Sequence, residues 1–175
     1  SSFDTIVASG PNTSKPHAVP TRRKLRGGDF VLFDMGAVVD GYSSDMTRMV
    51  VLGKADSRQQ EVYSVVLRAQ QAALAGIIAG MRCEDADRLA RDVIEKAMLG
   101  KEFVHSLGHG IGLEVHESPR LSSRSGETLK SGAVITVEPG VYIPDWGGVR
   151  IEDMVVVMKN GVRNLTAASK QLIEL

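Results

Sequence analysis

Apolar and polar positions alternate almost from the start of the chain, where Phe3 and Thr5-Ile6-Val7 read as an entering strand. The pattern is clearest from Phe30 to Val51, where two β-rich runs, Val31-Leu32-Phe33-Asp34-Met35 and Tyr42 to Val51, flank Asp40-Gly41. A two-residue Asp-Gly turn between such runs predicts a hairpin. With that turn, Asp34 faces Thr47, and Asp45 is its diagonal neighbour on the same face, at the ~7–8 Å spacing of diagonal pairs. The period then changes to 3.6. Ser57-x-x-Gln60 resembles a capping box, and Val62, Val65, Val66, Ala69, Ala72, Ala73 and Ile77 form a helical stripe that ends near Gly80. Ala86, Leu89, Ala90, Val93, Ile94, Ala97 and Met98 predict a second helix, with Gly100 at the left-handed cap position. Short strands return at Phe103–Ser106, Val134–Val137, Val141–Ile143 and Val149–Val157, and the polar stretch Ser122–Lys130 reads as a surface loop.

Composition narrows the class. A chain of 175 residues, 43% hydrophobic and 24% charged with 18 Gly and 6 Pro, has the makeup of one globular domain and not of a disordered or collagen-like protein. Lys+Arg and Asp+Glu are equal at 21 each, so no global charge favours nucleic acid or an anionic membrane. Arg22-Arg23-Lys24-Leu25-Arg26 reads as a solvated loop. The single Cys83 forms no internal disulfide, which fits a reducing, cytoplasmic setting. The longest apolar run, Met154–Met158, falls far short of the ~20 residues that span a bilayer. A start at Ser1-Ser2-Phe3, without methionine, suggests a fragment or a processed product.

The candidate chemistry lies in acids placed where strands should be apolar. Asp34 follows Val31-Leu32-Phe33, Glu138 follows Val134-Ile135-Thr136-Val137, and Glu152 follows Ile151. Taken singly, each reads equally well as an exposed strand-end residue. Together they point to paired or metal-bound carboxylates, because a buried charge needs a partner. His105, His109 and His116, three of the four histidines, lie within His105–Pro119, where Gly108, Gly110 and Gly112 exclude the helix a His-Glu-x-x-His zinc protease requires. No phosphate-binding Gly-x-x-x-x-Gly-Lys-Ser/Thr and no Gly-x-Ser-x-Gly elbow occurs. The candidate ligands are therefore Asp34, Asp45, Glu138, Glu152 and His109. Four carboxylates in one small site call for two divalent cations, and oxygen-rich ligation with one imidazole suits Mn, Co, Fe or Zn.

Five blocks of the sequence resemble the pita-bread metallopeptidases, the family of methionine aminopeptidase, aminopeptidase P and prolidase. They are Ile6-Val7-Ala8-Ser9-Gly10 with Pro16-His17-Ala18; Asp34-Met35-Gly36 with Gly41 to Arg48; His105 to Gly112; Thr136 to Tyr142; and Gly147 to Asp153. The resemblance implies an α+β pita-bread fold, a curved antiparallel sheet covered by helices. It also implies that residues 1–175 are a catalytic domain lacking the N-terminal part of its first half and any separate N-terminal domain.

The same resemblance implies that Asp34, Asp45, His109, Glu138 and Glu152 hold two divalent ions, manganese first and cobalt, zinc or iron as alternatives. Asp45 and Glu152 would bridge them, with a water or hydroxide between. Glu138 would shuttle the proton and His116 would bond the substrate carbonyl region. His17 and His105 would line the pocket. Arg150, beside Glu152, would meet a substrate carboxylate or the metal carboxylates. His105 before His109, Gly-Tyr-Ser-Ser-Asp-Met-Thr-Arg and Val-Arg-Ile-Glu-Asp resemble the branch that cleaves before proline, whose tertiary amide has no N–H. The implied function is Xaa-Pro dipeptidase or Xaa-Pro aminopeptidase, acting on a peptide with proline second, as a homodimer by analogy and without nucleic acid or membrane. Methionine aminopeptidase and a non-catalytic peptide-binding module are the alternatives.

Overall fold

The structure is a computed structural model that describes residues 1–175. Strand β1 (Ile6–Ser9) is followed by the β2 to β5 hairpin: β2 (Phe30–Met35), β3 (Val38–Val39), β4 (Tyr42–Ser43) and β5 (Met46–Val51). Its turn is Asp40-Gly41, both left-handed at φ 50° and 84°, the geometry that matches strand twist in a two-residue hairpin. Asp34 accordingly pairs with Thr47. Helices α1 (Ser57–Gly76) and α2 (Cys83–Lys96) come next. They are followed by β6 (Gly108–Gly110), β7 (Glu117–Leu121), β8 (Val134–Val137), β9 (Gly140–Ile143), β10 (Gly147–Arg150), β11 (Asp153–Met158), β12 (Gly161–Asn164) and β13 (Ile173–Glu174).

Two main sheets result, ordered β1-β2-β5-β13 and β12-β11-β8-β6-β7, with β9–β10 as a separate hairpin. A single apolar core joins both sheets to the helices. Leu32, Met49 and Val51 meet it from the first sheet, Ile135, Val137, Val155 and Val157 from the second, and Val66, Ala73, Ala90 and Ile94 from the helices. No helix is long and apolar enough to cross a membrane.

Several boundaries depart from the sequence reading. The helical cap is one residue earlier: the Asp56 carboxylate accepts the Gln59 N–H at 2.8 Å and Gln59 Oε1 accepts the Asp56 N–H at 2.9 Å. Gln59 wins over Gln60 because its amide also donates inward to the Gly28 carbonyl at 2.7 Å. The first helix stops at Gly76 because the backbone beyond it is claimed elsewhere, Ala79 N–H by Met158 O and Gly80 N–H by Leu129 O. Leu129, inside the predicted surface loop, is buried. After α2 the left-handed residue is Met98 at φ 61°, not Gly100, where a Cβ would lie 2.6 Å from Glu95 Cγ and the exposed Glu95 side chain would have to move.

Phe103–Ser106 is not a strand, since Arg91 takes the place of a neighbouring strand by donating to the Phe103 and His105 carbonyls, each at 2.9 Å. Val149–Val157 is two strands. The interruption at Ile151-Glu152 sends the Glu152 N–H to Thr47 O on the first sheet at 3.3 Å, and this break carries Glu152 across to face Asp34 and Asp45.

Close backbone approach around β6 yields a first prediction. A Cβ on Gly108 would sit 2.0 Å from the Thr136 carbonyl oxygen, a backbone atom that cannot rotate away, whereas one on Gly126 meets nothing. Gly108→Ala is expected to destabilise the protein by about 3 kcal/mol or more in urea unfolding, and Gly126→Ala to change it little.

Candidate metal centre

Each acid is delivered by the end of a strand. Asp34 lies near the end of β2, Asp45 immediately precedes β5, Glu138 immediately follows β8, Glu152 fills the gap between β10 and β11, and His109 is central in β6. They converge on one cavity of about 770 Å³ between the two sheets, also lined by His17, His105, His116, Arg120 and Arg150. Ligand atoms of Asp45, His109 and Glu152 lie within 4.8 Å of one another, and His109 Nε2 stands 3.2 Å from Glu138 Oε1.

The hydrogen bonds leave one face of this cluster free. Arg150 Nη2 donates to Asp34 Oδ2 at 2.6 Å and the Thr47 hydroxyl donates to Glu152 Oε2 at 2.7 Å. The second oxygens, Asp34 Oδ1 and Glu152 Oε1, are buried without any partner, as is Asp45 Oδ1. Unpaired buried carboxylate oxygens cost free energy that a bound cation removes. His109 Nδ1 lies 3.0 Å from the Gly110 carbonyl, which only accepts, so Nδ1 carries a proton and Nε2 points into the cluster, where it bonds Glu138 when protonated and is free to ligate a cation when not. The donor set thus fits divalent cations on an observation of its own geometry.

Electrostatics agrees. Burial, followed by the Asp34 and Glu138 charges, pushes the Asp45 carboxyl up to about 7. Burial and the neighbouring acids raise Glu152 well above the ordinary range, and burial raises Asp34 against the pull of Arg150. Glu138 goes the other way: its burial is outweighed by the His109 hydrogen bond and by the charges of His105, His109 and Arg150. Three acids that resist ionising together, beside one that stays ionised, form a site short of positive charge.

Known proteins resemble this chain in sequence and in fold. The profile of metallopeptidase family M24 matches residues 1–159. The chain belongs to that family. It is 46% identical over 171 residues to the Xaa-Pro dipeptidase of Pyrococcus furiosus, covering 98% of this chain and 49% of that protein. Among solved structures, an Xaa-Pro dipeptidase from Bacillus anthracis superposes with a TM-score of 0.97 at 47% identity, covering 99% of this chain and 49% of the other. An X-Pro aminopeptidase from Thermotoga maritima gives a TM-score of 0.97 at 41% identity, with 99% and 49% covered. The fold is therefore the pita-bread fold, and the chain spans about half the length of the relatives it matches. Membership of an M24 metallopeptidase family makes divalent metal the expected occupant of the cluster.

The M24 site also refines the roles of single residues. Arg150 does not face outward to a substrate: it is 3% exposed, and every guanidinium nitrogen is engaged, Nε by Thr47 Oγ1, Nη1 by Pro16 O and Tyr142 Oη, and Nη2 by Asp34. Of the two partners expected for Arg150, a substrate carboxylate or the metal carboxylates, the structure shows the second, with Nη2 on Asp34 Oδ2. His105 borders the cavity with both ring nitrogens occupied, Nδ1 donating to its neighbour's carbonyl at 2.8 Å and Nε2 accepting from Tyr142 Oη at 2.9 Å. His17 and His116 are exposed at the cavity wall, and the His116 ring lies 4.3 Å from that of His109.

Tyr142, Thr47 and Thr136 were not among the expected site residues. Tyr142 links Arg150 to His105, and the Thr136 hydroxyl donates to Glu138 Oε1 at 3.0 Å. A buried tyrosine in a strand that ends beside a ligand block was the available signal, since its hydroxyl needs a partner. Arg120 was missed as well. Trp146 packs edge-on to Phe30 and under Arg58, away from the cavity.

Proposed function

We propose that this cavity hydrolyses the bond between an N-terminal residue and proline, with Xaa-Pro dipeptides as the preferred substrates and residues 1–175 as the catalytic domain. The observation that carries the reading is the convergence of Asp34, Asp45, His109, Glu138 and Glu152 on one cavity, with three buried carboxylate oxygens unpartnered. The names of the M24 relatives support the proline specificity. Two divalent ions held by these five residues would activate water and polarise the scissile carbonyl.

The chain's own groups supply the rest. Glu138, held ionised at the cavity edge, accepts a proton from the attacking water and delivers it to the proline nitrogen as the C–N bond breaks. The leaving nitrogen gains the hydrogen that a tertiary amide lacks. His116 donates to the oxygen developing at the scissile carbonyl. His17 and His105 wall the space on either side of the bond.

Arg120 favours dipeptides. It is exposed on the cavity wall, its guanidinium makes no ion pair, and Arg150 is already committed to Asp34. A free cation at this position suits the carboxylate of a C-terminal proline, and bidentate guanidinium pairing fits that group. The likeness to the Thermotoga maritima X-Pro aminopeptidase favours a second reading, in which longer peptides pass the same site.

Hydrolysis of Ala-Pro, Ala-Pro-Ala and Met-Ala-Ser after metal restoration separates these readings. Ala-Pro is expected to be cut fastest, and Arg120→Met to raise KM for Ala-Pro about tenfold while changing Ala-Pro-Ala less, as loss of a charged hydrogen bond of about 1.5 kcal/mol requires. Faster cleavage of Ala-Pro-Ala would establish the aminopeptidase, and of Met-Ala-Ser the methionine aminopeptidase.

A further inference from the structure

Behind the metal cluster, outside the cavity, lies a second buried polar group. Asp153 is fully buried and accepts from Arg48 Nη2 at 2.6 Å, Lys170 Nζ at 2.6 Å and Asn164 Nδ2 at 2.7 Å. Arg48 has five N–H groups, and all are used. Beyond Asp153, they reach the carbonyls of Ser169, Ala168, Thr47 and Glu152. Lys170 in turn donates to Gln70 of α1 at 3.0 Å, and its carbonyl accepts from Tyr63 at 2.9 Å.

The two carbonyls that Arg48 grips inside the sheets are informative. Thr47 is the residue whose hydroxyl holds Glu152 Oε2. Glu152 sits in the interruption between β10 and β11, where the backbone has few bonds of its own: Ile151 N–H reaches Pro139 O at 3.4 Å and Glu152 N–H reaches Thr47 O at 3.3 Å. The Glu152 carbonyl receives no backbone hydrogen bond, only that from Arg48. Its main chain is therefore fixed from outside the cavity by a guanidinium that is itself fixed by Asp153 and the segment around Lys170.

We infer that Arg48, Asp153 and Lys170 act as a brace that positions Glu152, so that metal affinity depends on Lys170, a residue that does not line the cavity. This rests on the metal reading above. Arg48, Asp153 and Lys170 are positioning residues; none touches the substrate space. Groups hydrogen-bonded to a metal ligand commonly change affinity by ten- to a hundredfold when removed, and Lys170 reaches Glu152 through Asp153 and Arg48.

The test titrates the metal-stripped protein with Co(II), read by calorimetry and by the visible absorption of the bound ion, in the wild type, Lys170→Met, Lys170→Arg, Asp153→Asn and Lys54→Met. Lys170→Met and Asp153→Asn are expected to lower Co(II) affinity about tenfold and to alter the absorption band, which follows ligand geometry. Lys170→Arg should restore both. Lys54→Met breaks the exposed 2.6 Å pair to Glu174 on the same C-terminal segment and should bind Co(II) as the wild type does. If Lys170→Met binds with wild-type affinity and spectrum, whatever its melting temperature, the brace is overturned and the cluster only stabilises the fold. Should Asp153→Asn not fold, Lys170→Met, altered at a side chain that is 23% exposed, decides alone. A wild type that takes up no Co(II) defeats the metal reading itself, and the brace with it.

Discussion

Glu138→Gln is expected to lower kcat for Ala-Pro about a thousandfold, within the range for removal of a positioned acid–base group, and to change KM only slightly. The side chain is placed for the task. Thr136 holds one oxygen at 3.0 Å, His109 stands 3.2 Å away, and the surrounding cations keep the group ionised where Asp34, Asp45 and Glu152 resist it. Glutamine keeps the shape and a carbonyl oxygen for Thr136 and for a cation, but it cannot carry a proton from water to the proline nitrogen. Metal content should therefore survive while turnover falls. A variant with near wild-type kcat would remove Glu138 from the proton path.

The second large effect is on stability. For Asp45, Asp34 and Glu152, burial and mutual repulsion raise the folded values above the unfolded ones, so folding takes up protons. The stability these groups contribute is present in acid and is lost as pH climbs from the ordinary carboxylate range through about 7 for Asp45. His109, raised by Glu138 against its burial, loses its contribution in the same direction; the lowered His105 and His116 act oppositely, and the lowered Glu138 does so only below the ordinary carboxylate range. Metal-free protein is accordingly expected to melt roughly 4–8 °C lower at pH 8 than at pH 5.5, about 2 kcal/mol for a domain of this size. Added Mn or Co should reverse the loss at pH 8, because cations replace the missing protons. A metal-free Tm that rises between pH 5.5 and 8 would show that these acids are not crowded together.

Much of this was legible in the sequence because it depends on local rules. Asp40-Gly41 dictates the hairpin turn, and the turn dictates that Asp34 faces Thr47, which brings two acids to one face. Glu138 and Glu152 stood out because apolar strands do not end in acids without reason. What the sequence hid depends on distant partners. Arg91 replaces a strand beside Phe103–Ser106 from twelve residues away, and only the fold shows which carboxylate Arg150 holds, that of Asp34. Thr47 and Thr136 read as ordinary strand residues, since only the fold reveals that their hydroxyls hold carboxylates. Arg120 stands out only once Arg150, the other arginine lining the cavity, is seen to be committed to Asp34.

The central claim is that five side chains from two sheets hold two divalent ions, and counting metal tests it most directly. The chain would be stripped with EDTA, dialysed at pH 7.5 against micromolar Mn or Co, and its bound metal measured by elemental mass spectrometry beside the Asp45→Asn/Glu152→Gln double variant. The account predicts two ions per wild-type chain and fewer than one in the variant, in which two of the four carboxylates are neutralised. No bound metal in the wild type, or equal metal in both proteins, would contradict it.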